Sequence, residues 1–144
     1  MDMVGVVYAS RATKEMQSDD IDRLLVSSRA YNASVGVSGV LLYGRKQFFQ
    51  YFEGTQEGVD DVYERVRRSS LHTDIVELEN APISHRVFNR WFMGFSEVPE
   101  SVLQKLSQEQ WVRERPWMEG HETTSDGLRR LLAFIDESTV QQGN

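Results

Sequence analysis

The run Gln47-Phe48-Phe49-Gln50-Tyr51-Phe52-Glu53-Gly54 constrains this chain more than any other stretch. Its aromatic residues read as a buried strand, with Gly54 at its end. Strand alternation places Phe48, Gln50 and Phe52 on one face. A primary amide between two phenylalanines on a buried face is costly unless it finds hydrogen-bond partners. Another side chain, a water or a ligand would serve.

The rest of the chain supplies the partners of that strand. Residues 3–10 alternate, with Val4, Val6 and Tyr8 on one face and Gly5, Val7 and Ala9 on the other. Ser18 before Asp19 and Asp20 reads as a helix start, and Ile21, Leu24, Leu25 and Ser28 recur at helical spacing to about Ala33. Residues 37–43 form a second strand, joined to the Gln50 strand by a two-residue turn at Gly44-Arg45. Val59, Val62, Tyr63 and Val66 mark a second helix, and residues 74–78 and 87–95 read as two more strands. The order β-α-β-β-α-β-β predicts an α+β sheet with both helices on one face.

Beyond Pro99 the pattern becomes helical. Residues 101–111 give a short helix on Val102, Leu103 and Leu106, and a charged stretch with Pro116 and Gly120 follows. Ser125 then caps a final helix carrying Leu128, Leu131, Leu132 and Ile135. The chain therefore divides into a core, residues 1–97, and a helical extension, residues 98–144. The extension is expected to pack on the open face of the sheet or on another subunit, with Trp111 and Trp117 as packing residues.

At 144 residues the chain is long enough for one domain with a proper core. A net charge of -6 argues against nucleic acid as a partner, and Arg65, Arg67 and Arg68 are too few to reverse that. The absence of cysteine removes disulfides and thiolate chemistry. No apolar run matches a bilayer, and Met1-Asp2-Met3-Val4 lacks signal-peptide features, so no membrane association and a cytoplasmic setting are expected. His72, His85 and His121 are scattered without ligand spacing, so no metal site is expected. Glu53, Glu57, Asp60 and Asp61 read as a solvated acidic helix start rather than an acid/base pair.

Two further polar groups sit on apolar faces. Asn32 follows Ile21 by about three helical turns, so the two share a face with Ser28. Taken singly, Ser28 can bond back to a carbonyl, Asn32 can cap the helix and Tyr8 can reach one partner. Together Tyr8, Ser28, Asn32 and Gln50 offer a phenol, a hydroxyl and two amides on neighbouring elements. Such a set can hydrogen-bond a flat heteroaromatic ring bearing adjacent carbonyl and imide groups.

These residues fall within motifs whose combination resembles the BLUF domain, a flavin-binding blue-light sensor module. The motifs are Tyr8-Ala9-Ser10, Ser28-Arg29 with Asn32, the run from Gly36 to Tyr43, and Phe49-Gln50-Tyr51-Phe52-Glu53-Gly54. Arg65-Val66, His72, Arg86 with Phe88, and Trp91-Phe92-Met93-Gly94-Phe95 continue the match, which spans roughly residues 3–96. The resemblance implies a ferredoxin-like sheet with the flavin between its two helices. FAD is the implied cofactor, with FMN or riboflavin possible. Tyr8 is implied as the electron and proton donor to the excited flavin, and Gln50 as the amide that rearranges afterwards.

By the same resemblance Asn32 holds the flavin carbonyl and imide, Arg65 lies near its phosphate or ribityl end, and Ser28 and His72 help to bind it. Trp91 and Met93 match positions that carry the change outward. Ser69 and Leu71 depart from the family pattern, which commonly has aspartate and arginine there, and that bears on which flavin binds. The implied output is altered binding to a separate signalling protein, without enzymatic activity, in a homo-oligomer. Two other readings stand beside it. A flavin-dependent oxidoreductase would need an open ring face and a second substrate site, and the chain shows no dinucleotide fingerprint. A non-flavin ferredoxin-like interaction module leaves the convergence of Tyr8, Asn32 and Gln50 without a purpose.

Overall fold

The aromatic run becomes the central strand of a five-stranded sheet in a computed structural model that describes residues 2–88, 91–111 and 125–137. In chain order the strands are β1 (Met3–Ala12), β2 (Ser38–Gly44), β3 (Gln47–Thr55), β4 (His72–Ile83) and β5 (Gly94–Glu97). Helix α1 (Ser18–Val35) links β1 to β2, and α2 (Gln56–Arg68) links β3 to β4. Two shorter helices, α3 (Glu100–Gln108) and α4 (Asp126–Glu137), follow β5. The sheet order is β4-β1-β3-β2-β5, antiparallel except for the parallel pair β2 and β5. This is the α+β, ferredoxin-like arrangement expected from the element order.

Strand β3 is central because both of its faces are apolar, and each face is covered. On one side Val4, Val6, Tyr8 and Phe52 pack under Val59, Val62 and Tyr63 of α2, while Leu41, Phe48 and Phe95 pack under Ile21 and Leu25 of α1. On the other side Val7, Val40, Leu42, Phe49 and Tyr51 meet Leu103 and Leu106 of α3 and Leu128 and Leu131 of α4. The helical extension thus covers the sheet's second face. Trp111 is a packing residue there: it is buried against Phe49, and its Nε1 donates to Leu106 O at 2.9 Å. Trp117, Pro116, Gly120 and His121 lie outside the described residues. No described helix is long and apolar enough to cross a membrane.

Five expectations are corrected. Gln17, not Ser18, precedes α1: its backbone is extended and its N–H donates to Asp20 Oδ2 at 2.9 Å, so the carboxylate three residues on does the capping. The helix runs to Val35, where Gly36 at φ 69 lets Val37 N donate to Asn32 O at 2.9 Å. The β2–β3 turn is Arg45-Lys46, both with positive φ (48 and 62). Gly44 instead pairs with Gln47, and any Cβ on it would lie 2.1 Å from Val98 O, so close approach explains the glycine. Strand β4 is longer than 74–78. Residues 87–95 do not make one strand, because only Gly94–Glu97 joins the ladder.

Helix α2 begins with a side-chain cap, Thr55 Oγ1 accepting from Gly58 N at 3.2 Å. Thr55→Ala is expected to lower stability by about 1 kcal/mol, measured as a shift in urea midpoint at constant slope.

Candidate functional site

Side by side on the sheet, α1 and α2 leave a cavity of about 430 Å³ between them. Tyr8, Ser28, Asn32, Gln50, Arg65, His72 and Met93 all line it, so the residues singled out from the sequence converge except Trp91. Register accounts for the pair at its floor, since Tyr8 on β1 lies opposite Gln50 on β3. The Tyr8 hydroxyl donates to Gln50 Oε1, and Gln50 Nε2 donates to Met93 Sδ at 3.5 Å. One end of the amide therefore holds a phenol and the other a thioether, which is a weak acceptor.

Burial sets the chemistry of Tyr8. Only 3% of it is exposed, with Phe52 edge-on at 6.2 Å and Tyr63 stacked at 6.3 Å. Burial, and secondarily Tyr63, push its phenol well above the ordinary range, so the proton stays on Tyr8 at neutral pH. His72 sits 5.9 Å from the Tyr8 ring. Its Nε2 lies 2.7 Å from Val66 O, and a carbonyl only accepts, so that nitrogen carries a proton; Ser10 Oγ lies 2.7 Å from Nδ1.

From α1, Asn32 reaches into the cleft instead of capping the helix end. It is 3% exposed, and its Nδ2 donates to Phe92 O at 2.8 Å. Ser28 is half-buried beside it. Arg65 lies at the open rim, donating to Ser27 Oγ with its guanidinium 4.6 Å from the Tyr31 ring centroid. Lys14 and Arg23 share that rim, both paired with Asp20. Ser69 and Leu71 also line the cavity, and Ser69 Oγ accepts from Leu71 N at 3.2 Å.

Glu53 overturns its reading as part of a solvated helix start. It is the last buried acceptor of β3, fully enclosed on the face opposite the cleft. Its carboxylate accepts from Val87 N at 2.8 Å, Phe88 N at 2.5 Å and the Tyr51 hydroxyl at 3.0 Å. Arg86 reinforces the contact, donating to Ser38 Oγ at 3.1 Å, Glu53 O at 3.3 Å and Gly36 O at 2.6 Å. Alternation was the available signal: Phe49, Tyr51 and Glu53 share a parity and therefore a face. Arg29 was quoted from the sequence only as part of a motif, and one acceptor it reaches, Met93 O at 2.9 Å, is 64 residues away.

Comparison with known proteins bears on the family and the fold. Residues 3–94 match a family model described as BLUF, sensors of blue-light using FAD. The chain is 31% identical over 86 residues to the photoactivated adenylate cyclase subunit beta of Euglena longa, covering 60% of this chain and 10% of that protein. It is 36% identical over 67 residues to the alpha subunit of Euglena gracilis, covering 46% of this chain and 7% of that protein. The chain thus spans about a tenth of the length of the curated relatives it matches.

Among solved structures, BlsA in its ground state superposes with a TM-score of 0.70 at 25% identity, covering 99% of this chain and 93% of the other. BlrB, a BLUF protein in its dark state, gives 0.63 at 28% identity, covering 73% and 78%. A bacterial light-regulated adenylyl cyclase gives 0.65 at 29% identity, covering 74% and 34%. The matched family is one of light sensors that use a flavin. The chain is a member of the BLUF family.

Proposed function

We propose that the cleft between α1 and α2 holds a flavin and that Tyr8, Gln50 and Met93 convert absorbed blue light into a conformational signal. The observation that carries this reading is Gln50, 4% exposed, with a buried phenol on its oxygen and only a thioether on its nitrogen among the described residues. The amide NH₂ carries two donors, so with one on Met93 Sδ the other can take a stronger acceptor that enters the cleft. A flavin fits the donor set. Asn32, Ser28 and Gln50 offer groups for its carbonyl and imide edge, His72 lies deeper in the pocket, and Arg65 stands at the mouth where a phosphate would emerge. FAD is the cofactor we assign, with the rim cations Lys14, Arg23 and Arg65 suited to its phosphates.

When bound, a flavin would supply blue-light absorption and an excited state able to take an electron from an adjacent phenol and then return it, leaving no net redox change. Tyr8 supplies the electron, and its oxidised phenol becomes a strong acid. Its proton then moves along the hydrogen bond to Gln50 Oε1. Gln50, protonated on that side, rotates or tautomerises and releases Met93 Sδ from Nε2; as the electron returns to Tyr8 a proton returns to its phenolic oxygen, and Gln50 is left neutral in its new arrangement. Released, Met93 no longer ties the start of β5 to the cleft, and β5 leads into α3 through Val98. The output is altered binding of a separate protein, without catalysis in these residues. Residues 1–97 act as the sensor, and residues 98–144 as the capping, self-associating and output segment.

Two measurements test the reading. Purified protein should be yellow, and blue illumination should shift its absorption slightly and reversibly to the red. Gln50→Leu should stay yellow while the shift falls below about a hundredth of the wild-type amplitude. Colourless protein, or a flavin reduced by a nicotinamide in the dark, would remove the sensor reading.

A further inference from the structure

Trp91 and Met93 are two residues apart, and an extended strand would turn both to the same face. They point to opposite faces. Met93 packs with Leu41, Phe48 and Phe95 on the cleft side, whereas Trp91 stacks on Phe88 at 5.5 Å on the side covered by α3 and α4. Met93 keeps the phase of β5, since it shares its face with Phe95. The phase is therefore broken between residues 91 and 93, where the backbone bends outside the ladder.

Three successive carbonyls in that bend are each held by a donor from elsewhere in the fold. Trp91 O accepts from Gly39 N at 2.8 Å, Phe92 O from Asn32 Nδ2 at 2.8 Å, and Met93 O from Arg29 Nε at 2.9 Å. Gly39 offers only its backbone, and Asn32 already belongs to the cleft. Arg29 is not among the described residues that line the cavity. Its guanidinium is a charged, planar donor, which makes its bond to a carbonyl the strongest kind available of the three.

We propose that Arg29 is the positioning residue of this bend, holding the Met93 carbonyl so that the Met93 thioether, and not the Trp91 indole, meets Gln50. The competing arrangement is a straight segment in phase with β5. It places residues 91, 93 and 95 on one face and brings Trp91 to the cleft side. Packed segments switch between discrete arrangements of this kind more readily than they deform continuously. Arg29 and Asn32 both project from α1, so one helix holds the bend and forms one wall of the cleft. The static role of Arg29 stands on these contacts alone; its part in signalling rests on the photosensor reading above.

The test uses protein labelled with ¹³C at the methionine methyls, both flavin-free and flavin-loaded, with the Met93 signal assigned through Met93→Leu. Arg29→Ala is expected to move and broaden the Met93 methyl resonance and to speed amide exchange over residues 91–97 by about tenfold. Met16, which packs in the same cluster, should keep its resonance, because a general loosening of the core would move both. Arg29→Lys, keeping the charge without the planar fork, should fall between wild type and Arg29→Ala. In loaded protein the lifetime of the red-shifted state should change about tenfold in Arg29→Ala.

An unaltered Met93 resonance and exchange pattern in Arg29→Ala would overturn the assignment. If that variant does not fold, Arg29→Lys and Arg29→Gln carry the same criteria. A colourless chain whose Met93 signal still follows Arg29 supports the positioning role and removes the photosensor reading. A photocycling chain whose Met93 signal ignores Arg29 does the reverse.

Discussion

Tyr8→Phe is expected to bind flavin close to normally and to lose the light-induced red shift, with an amplitude below about a hundredth of wild type. The substitution keeps the ring that packs against Phe52 and Tyr63, so the floor of the cleft keeps its shape. It removes the hydroxyl that donates to Gln50 Oε1, and with it the proton that must move. Burial holds the Tyr8 proton in place, so on the proposed mechanism the phenol is protonated whenever light arrives. Gln50 Oε1 loses a buried partner at a cost of about 1–3 kcal/mol, which leaves a folded protein to measure. Difference spectra recorded before and after blue illumination decide the matter. A Tyr8→Phe protein with the wild-type shift would show that another group supplies the proton.

Glu53→Ala is expected to produce the largest loss of stability, about 3–5 kcal/mol by urea unfolding. The carboxylate is fully buried and satisfies two main-chain amides and the Tyr51 hydroxyl, which alanine would strand. Because those amides belong to Val87 and Phe88, exchange protection at both should be lost even in the surviving folded molecules.

The same site has a pH signature. Burial raises the Glu53 pKa above its ordinary 4.5, while the Val87 and Phe88 amides, Tyr51 and Arg86 pull the other way. A folded state that binds the proton more tightly than the unfolded chain is favoured at low pH. The contribution is full below 4.5 and is lost as pH rises through the elevated folded value. Glu53→Gln should abolish that slope, and an identical pH profile in both proteins would show that Glu53 does not titrate in this range.

Much of the molecule was legible along the chain, because local periodicity reports which face is buried. Alternation around Gln50 named the central strand, and helical spacing named α1 and α2, since the core they share imposes both patterns. The convergence of Tyr8, Asn32 and Gln50 followed from the same parity arguments plus the strand order. Turn and cap details were less legible. Gly44 looks like a turn glycine, yet it serves a close approach to Val98 O that no neighbouring residue reveals.

What the fold alone decided are the contacts between distant segments. Glu53 resembles its acidic neighbours Glu57, Asp60 and Asp61 in composition, and the amides 34 and 35 residues later, with the Tyr51 hydroxyl, make it a buried anchor. Trp91 and Met93 read as one strand with one parity, yet they face opposite sides of the sheet, and donors from α1 and Gly39 hold the three carbonyls of the bend between them. Periodicity encodes how a segment meets the core, whereas a hydrogen bond across 64 residues depends on where two segments come to rest. Such bonds leave no regular trace in the order of the amino acids.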